Sequence, residues 1–134
     1  MADEASIIGT WVLKSFIVEF EDGSEHFPYG EPPEGRIAYS SDGFMSAHLW
    51  NPDLHVDGPR SGDDPNYFSY CGDWSIEGSV VKHHVHAATE PSWTGRDKLR
   101  TMRAHGSQLE LTAEGVVFAG KRGRGILVWE QRAK

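Results

Sequence analysis

His83 stands in the run Val81-Lys82-His83-His84-Val85, with a valine two residues away on either side. Residues two apart on a strand share a face, so a histidine flanked this way is carried toward the interior. An imidazole there can accept or donate a proton near neutral pH, and burial lowers its pKa and leaves a neutral base. The alternative is a histidine satisfied by a backbone group or a tyrosine hydroxyl. Tyr39, Tyr70 and Arg100 fall on the same inward side once the strands are phased. Tyrosine hydroxyls can orient a carbonyl or a phenol, or simply hydrogen-bond the protein. A guanidinium facing inward is costly unless paired. A ligand carboxylate, phenolate or enolate would pair Arg100, and so would Glu130 or Asp73 within the chain. Together these groups could carry out proton transfer: His83 moves the proton, Tyr39 or Tyr70 holds an oxygen, and Arg100 stabilises developing negative charge.

Other patterns carry less. His84 and His86 share a face, but that face is the solvent side, and zinc would need a third protein ligand and a second shell to hold the rings. No metal site is expected. Nucleophile elbows, phosphate-cradling glycine loops and dinucleotide fingerprints are missing, so no cofactor is expected. Cys71 is the single cysteine, which rules out an internal disulfide and a cysteine zinc site.

The elements that must position these groups are strands. Fifteen glycines and seven prolines break the chain into short alternating runs, and no long segment keeps a helical apolar period. Strands are predicted at about 10–20, 35–40, 44–50, 67–77, 80–88, 97–104, 108–113, 115–119 and 125–132. Three turns set the register. Ser40-Ser41-Asp42-Gly43 puts Tyr39 opposite Met45, and Glu77-Gly78-Ser79-Val80 puts Ile76 opposite Val81. His105-Gly106-Ser107 closes a third hairpin. One face then carries Ile37, Tyr39, Met45, Ala47 and Leu49, followed by Tyr70, Gly72, Trp74, Ile76, Val81, His83 and Val85. Met102 pointing inward brings Arg100 with it. Arg36, Ser46, Lys82, His84 and His86 take the opposite, solvent face.

A face that mixes alkyl groups with polar tips suits a barrel closed around a ligand. A solid core would leave those tips without partners, at roughly 1–3 kcal/mol each. Met45, Trp74, Val85 and Met102 are expected to line the cavity with Tyr70, and Trp93, in a loop after Pro91, to lid or line its mouth. Trp11, Trp74 and Trp129 read as core plugs. The long connections 21–34 and 51–66 could cover one mouth, 56–66 either as an ordered lid or as a disordered segment. Phe16, Val18 and Phe20 straddle the faces of the first strand. They could form an outer apolar patch, on which a two-fold homodimer would assemble.

At 134 residues the chain reads as one domain, and 38% hydrophobic content is enough for a core. A net charge of −7 argues against a nucleic-acid partner, which needs a basic stripe. The one dense basic run, Lys121, Arg122 and Arg124, reads as a solvated, glycine-interleaved loop. No apolar stretch approaches the roughly 20 residues that span a bilayer. The acidic start Met1-Ala2-Asp3-Glu4-Ala5 has no basic or apolar leader region, so a cytoplasmic protein with no membrane contact is expected.

The opening Gly9-Thr10-Trp11 has the Gly-x-Trp spacing found where lipocalins enter their first strand. It is followed by Pro28-Tyr29-Gly30, Gly35-Arg36-Ile37-Ala38-Tyr39, Asp42-Gly43-Phe44-Met45-Ser46 and Val81-Lys82-His83-His84-Val85. Pro91-Ser92-Trp93-Thr94-Gly95, Arg100 and Leu127-Val128-Trp129-Glu130 complete the series. In that order the chain resembles the lipocalin-like domain family of small bacterial and fungal proteins, from about residue 7 to 131. His48 and Gln131 depart from the pattern. The resemblance implies a calycin-type, up-and-down antiparallel β-barrel with a central cavity and little helix. It carries Tyr39, His83, Trp93 and Arg100 over as cavity positions. The place of fungal relatives in natural-product pathways implies a small hydrophobic or aromatic, polyketide-like ligand. Whether the chain also catalyses stays open: a cofactor-independent lyase, isomerase or cyclase, a non-catalytic carrier, and a haem-binding barrel are the three readings.

Overall fold

A computed structural model of the chain describes residues 4–53, 67–118 and 120–132. A single α-helical turn, α1 (Glu4–Ile7), precedes nine strands: β1 (Gly9–Phe20), β2 (Glu25–His26), β3 (Glu34–Tyr39), β4 (Phe44–Trp50), β5 (Tyr67–Glu77), β6 (Val80–Ala88), β7 (Asp97–His105), β8 (Gln108–Phe118) and β9 (Lys121–Gln131). A 3₁₀ turn at Pro91–Trp93 lies between β6 and β7. Each long strand pairs antiparallel with the next, and β9 returns to pair with β1, so eight strands close an up-and-down barrel while β2 adds a short rung outside β1. No helix among the described residues is long and apolar enough to cross a membrane.

The tight turns hold the register that their sequences dictate. Tyr39 pairs with Met45, Ile76 with Val81, and His105 with Gln108. These turns all fall at one end of the barrel. At that end α1 docks, with Trp11 donating its indole N–H to the Ile7 carbonyl at 2.9 Å, and Trp74 donating to the Ser40 carbonyl at 2.9 Å. Met45, Val81, Met102 and Leu109 fill the space around these rings. The longer connections leave from the opposite end.

Four sequence expectations need correction. The runs 108–113 and 115–119 form one strand, β8, interrupted by a bulge between Ala113 and Val116 where Gly115 adopts φ +69°. That inserted residue switches the inward parity from Leu109, Leu111 and Ala113 to Val116 and Phe118. The basic residues Lys121, Arg122 and Arg124 lie in β9, not in a loop. Gly123 permits this, because a Cβ there would run into the Glu19 carbonyl oxygen of β1. The Phe16–Val18–Phe20 patch is not an outer one. A register shift between Leu13 and Ser15 turns Phe16 into the barrel, and Val18 is fully buried. Finally, β2 lies within the expected 21–34 connection. The lid or disordered segment expected at 56–66 lies outside the described residues.

Candidate functional site

His83 is 1% exposed and faces the interior from the middle of β6, opposite Trp74 on β5 and Lys98 on β7. Both its ring nitrogens are engaged. Nε2 lies 2.6 Å from the Tyr39 hydroxyl, reached across the barrel from β3, and Nδ1 lies 2.8 Å from the Tyr70 hydroxyl on β5. Burial, with the Arg100 charge adding to it, brings His83 down to about 3, so the imidazole is neutral at physiological pH. Burial likewise raises Tyr39, helped by Tyr70 and opposed by Arg100. Tyr70 is raised by burial, again against Arg100. All three groups are therefore uncharged.

A neutral imidazole has one N–H and one lone pair, and the surroundings decide their placement. Tyr39 is sealed in the core, and His83 is its one hydrogen-bond partner among the described residues. If Tyr39 accepted from Nε2, its own proton would be stranded, at a cost of roughly 1–3 kcal/mol. Tyr39 therefore donates to Nε2, Nδ1 carries the hydrogen and donates to the Tyr70 oxygen, and the Tyr70 O–H has no acceptor among the described residues. Tyr70 is the member of the chain that, with one edge of His83, borders a cavity.

That cavity occupies the open half of the barrel and holds about 320 Å³. Ile37, Ala47, Leu49, Leu111 and Leu127 form its apolar wall, and aromatic rings close it toward the open end. Phe16 and Tyr29 stack at 5.9 Å, and Phe68 and Trp93 meet edge to face at 4.8 Å. Trp129 borders the same space, and its buried indole N–H has no partner among the described residues. Arg100 reaches the cavity from β7. Its Nη1 donates to its own neighbour, the Leu99 carbonyl, at 3.0 Å, and its Cζ lies 5.8 Å from the centroid of the Trp93 ring. Neither Glu130 nor Asp73 pairs with it: among the described residues Arg100 has no carboxylate within ion-pair distance, and Asp73 is joined to His86 instead.

The structure thus brings together Tyr39, Tyr70, His83, Trp93 and Arg100. Met45, Trp74, Val85 and Met102, expected on the wall, are buried in the core cluster and do not border the cavity. All four occupy the inward face as phased; Met45, Trp74 and Met102 lie nearer the turn end, whereas Val85 lies beyond His83 on β6, opposite Gly72. Sequence reasoning missed Phe16, Phe68, Val116 and Phe118 as wall residues. Phe16, Val116 and Phe118 lie beyond bulges, where simple alternation gives the wrong face. Phe68 shares the inward parity of Tyr70 and could have been found from it. His84 and His86 lie on the outer face, hydrogen-bonded to Asp97 and Asp73, and no group of residues that could hold a metal ion is found among the described residues.

A closed antiparallel barrel, plugged at one end by tryptophan and hollow at the other, is the architecture of calycin-type binding proteins. The model of the lipocalin-like domain family matches residues 8–132, nearly the whole chain, and the chain belongs to that family. Small-molecule binding in general is what such a barrel suggests. No curated protein matches the chain.

Proposed function

We propose that this protein takes a small hydrophobic molecule, aromatic or polyketide-like, into the barrel and holds its oxygen on Tyr70. The observation that carries this reading is the Tyr39–His83–Tyr70 chain, which ends at Tyr70 on the edge of a cavity walled mainly by alkyl and aromatic groups, with Arg100 and Glu90 also on its lining. Where a ligand fills the cavity and excludes water, a hydrogen bond is electrostatically stronger than in water, so one well-placed donor fixes the ligand's orientation. Apolar walls supply affinity through area removed from water, at roughly 25 cal/mol per Å².

The same geometry bears on catalysis. His83, held near 3, is a poor acceptor for a substrate proton, and both its nitrogens are occupied. Tyr70, raised by burial, is a donor rather than a base. A cofactor-independent lyase, isomerase or cyclase on this scaffold would therefore work by polarising a carbonyl through Tyr70, with Arg100 facing the charge that develops on oxygen. His83 would set the direction of the Tyr70 proton without itself abstracting one. A haem would find no free ring nitrogen on His83.

Native mass spectrometry of the purified protein identifies the molecule that copurifies, and titration of that molecule into Tyr70→Phe tests the anchor. The expected result is roughly tenfold weaker binding, as for one lost buried hydrogen bond. Equal affinity of wild type and Tyr70→Phe would overturn the assignment. Turnover of the ligand by wild type, lost in Tyr70→Phe, would select the enzymatic form over the carrier.

A further inference from the structure

The β7–β8 ladder stops at the Thr101–Thr112 pair, although β7 continues to Asp97 beside β6 and β8 continues to Phe118 beside β9. The Gly115 bulge interrupts β8 just beyond the last paired rung. The wall is therefore unzipped between residues 97–100 and 113–118. An outer groove runs along this seam, and five of its residues, Trp93, Arg100, Ala113, Val116 and Phe118, also line the internal cavity. Leu99 (57% exposed) and Val117 (63%) flank the groove on the outside.

Two cations at this seam are gathered on one aromatic ring, in a groove that also holds Asp97 and Glu114. In a chain of net charge −7, the cations Arg96, Lys98 and Arg100 stand on alternate residues of one segment. Lys98 and Arg100 both lie against the Trp93 ring, with Nζ 4.2 Å and Cζ 5.8 Å from its centroid. Neither has a carboxylate within ion-pair distance among the described residues. Three acids share the neighbourhood, Glu90 on the cavity wall and Asp97 and Glu114 in the groove, and none lies within ion-pair distance of either cation. Asp97 bonds His84, Glu90 accepts from Ser92 to cap the 3₁₀ turn, and Glu114 lines the outer groove. Burial pushes the Lys98 ammonium below its usual range, with Arg100 and Arg96 adding to the effect. Like charges gathered on one aromatic ring and left without a counter-charge are stabilised by any anion that settles between them.

We propose that the ligand is an amphipathic organic anion whose acidic group sits in the β7–β8 seam on Arg100 and Lys98 while its apolar body occupies the barrel. This rests on the cavity-binding reading above, and adds to it the charge of the ligand and the side of the barrel on which that charge lies. Carboxylates are the simplest members of the class. The indole of Trp93 lies between the two compartments and would stack on the part of the molecule that crosses the wall.

Isothermal titration with biphenyl carboxylate and with biphenyl methanol, which share their rings and differ in the acid, tests the inference. Wild type should bind the acid at least about tenfold tighter than the alcohol. In the double variant Lys98→Gln/Arg100→Gln the acid should fall to the affinity of the alcohol, and high salt should narrow the gap in wild type. Equal binding of the two compounds by wild type, or a preference that survives the double variant, would overturn the inference and leave the cavity reading intact. Binding of neither compound would overturn both.

Discussion

At the turn end of the barrel, Trp11 and Trp74 each give their indole N–H to a backbone carbonyl, while Trp129, on the cavity wall, gives its own to no partner among the described residues. The two halves differ in the same way throughout. The turn end is filled by Met45, Val81, Met102 and Leu109 around satisfied tryptophans. The open half has alkyl and aromatic walls, Tyr70, Glu90 and Arg100 among its lining and about 320 Å³ left unfilled. One half is finished for stability, since filled space and satisfied donors leave little to gain. The other forgoes contacts that a ligand can supply. Tyr39, His83 and Tyr70 sit on the boundary, anchored in the first half and ending in the second.

Truncation should separate the halves most strongly. Trp11→Ala removes a filled core ring and its hydrogen bond and should cost about 3–5 kcal/mol. Phe16→Ala, which enlarges a space already present, should cost less than about 2 kcal/mol. Urea unfolding of the two variants checks this, and equal losses would erase the distinction.

Acid should expose the boundary next. His83 is held at about 3 in the folded chain against roughly 6.5 unfolded. The unfolded state therefore binds the extra proton first as pH falls, and stability is full above about 6.5 and declines toward 3. Its contribution to the loss between pH 6.5 and 4 should be roughly 1–3 kcal/mol. The raised tyrosines give the opposite limb: the unfolded state releases protons first above about 10, so stability declines again there. Denaturant midpoints across pH, compared with His83→Gln, test both limbs. An acid limb as steep in the variant as in wild type would remove His83 from the account.

The smallest effect should come from outside both halves. His84 Nδ1 lies 2.7 Å from Asp97 Oδ1 on the half-exposed outer face. His84→Ala should change stability by no more than about 0.5 kcal/mol, because water and salt screen such a pair. A thermal melt that shifts by several degrees would show that the outer face contributes to the barrel more than its exposure suggests.

How far the chain could be read in advance follows from this geometry. Short turns made Tyr39, Met45, Ile76, Val81 and His83 assignable, because a tight hairpin dictates its pairing and alternation carries that pairing along the strand. The same reasoning failed for Phe16 and Val116, each beyond a one-residue insertion that reverses every later face. It also could not separate wall from core. Met45 and Tyr70 share a face, and only distance along the barrel axis puts one against packed side chains and the other against open space.

Composition and local pattern were enough to require an all-β chain with a partly polar inner face, since alternation and turn chemistry act over a few residues. The meeting of Tyr39 from β3, Tyr70 from β5 and His83 from β6 was decided by barrel closure, as was the place of Arg100, with no carboxylate partner among the described residues, beside a split in the wall. Those outcomes depend on strand stagger, on bulges and on contacts between residues far apart in the chain, from the 44 positions between Tyr39 and His83 to the β1–β9 pairing that closes the barrel. None of these is encoded within a single strand.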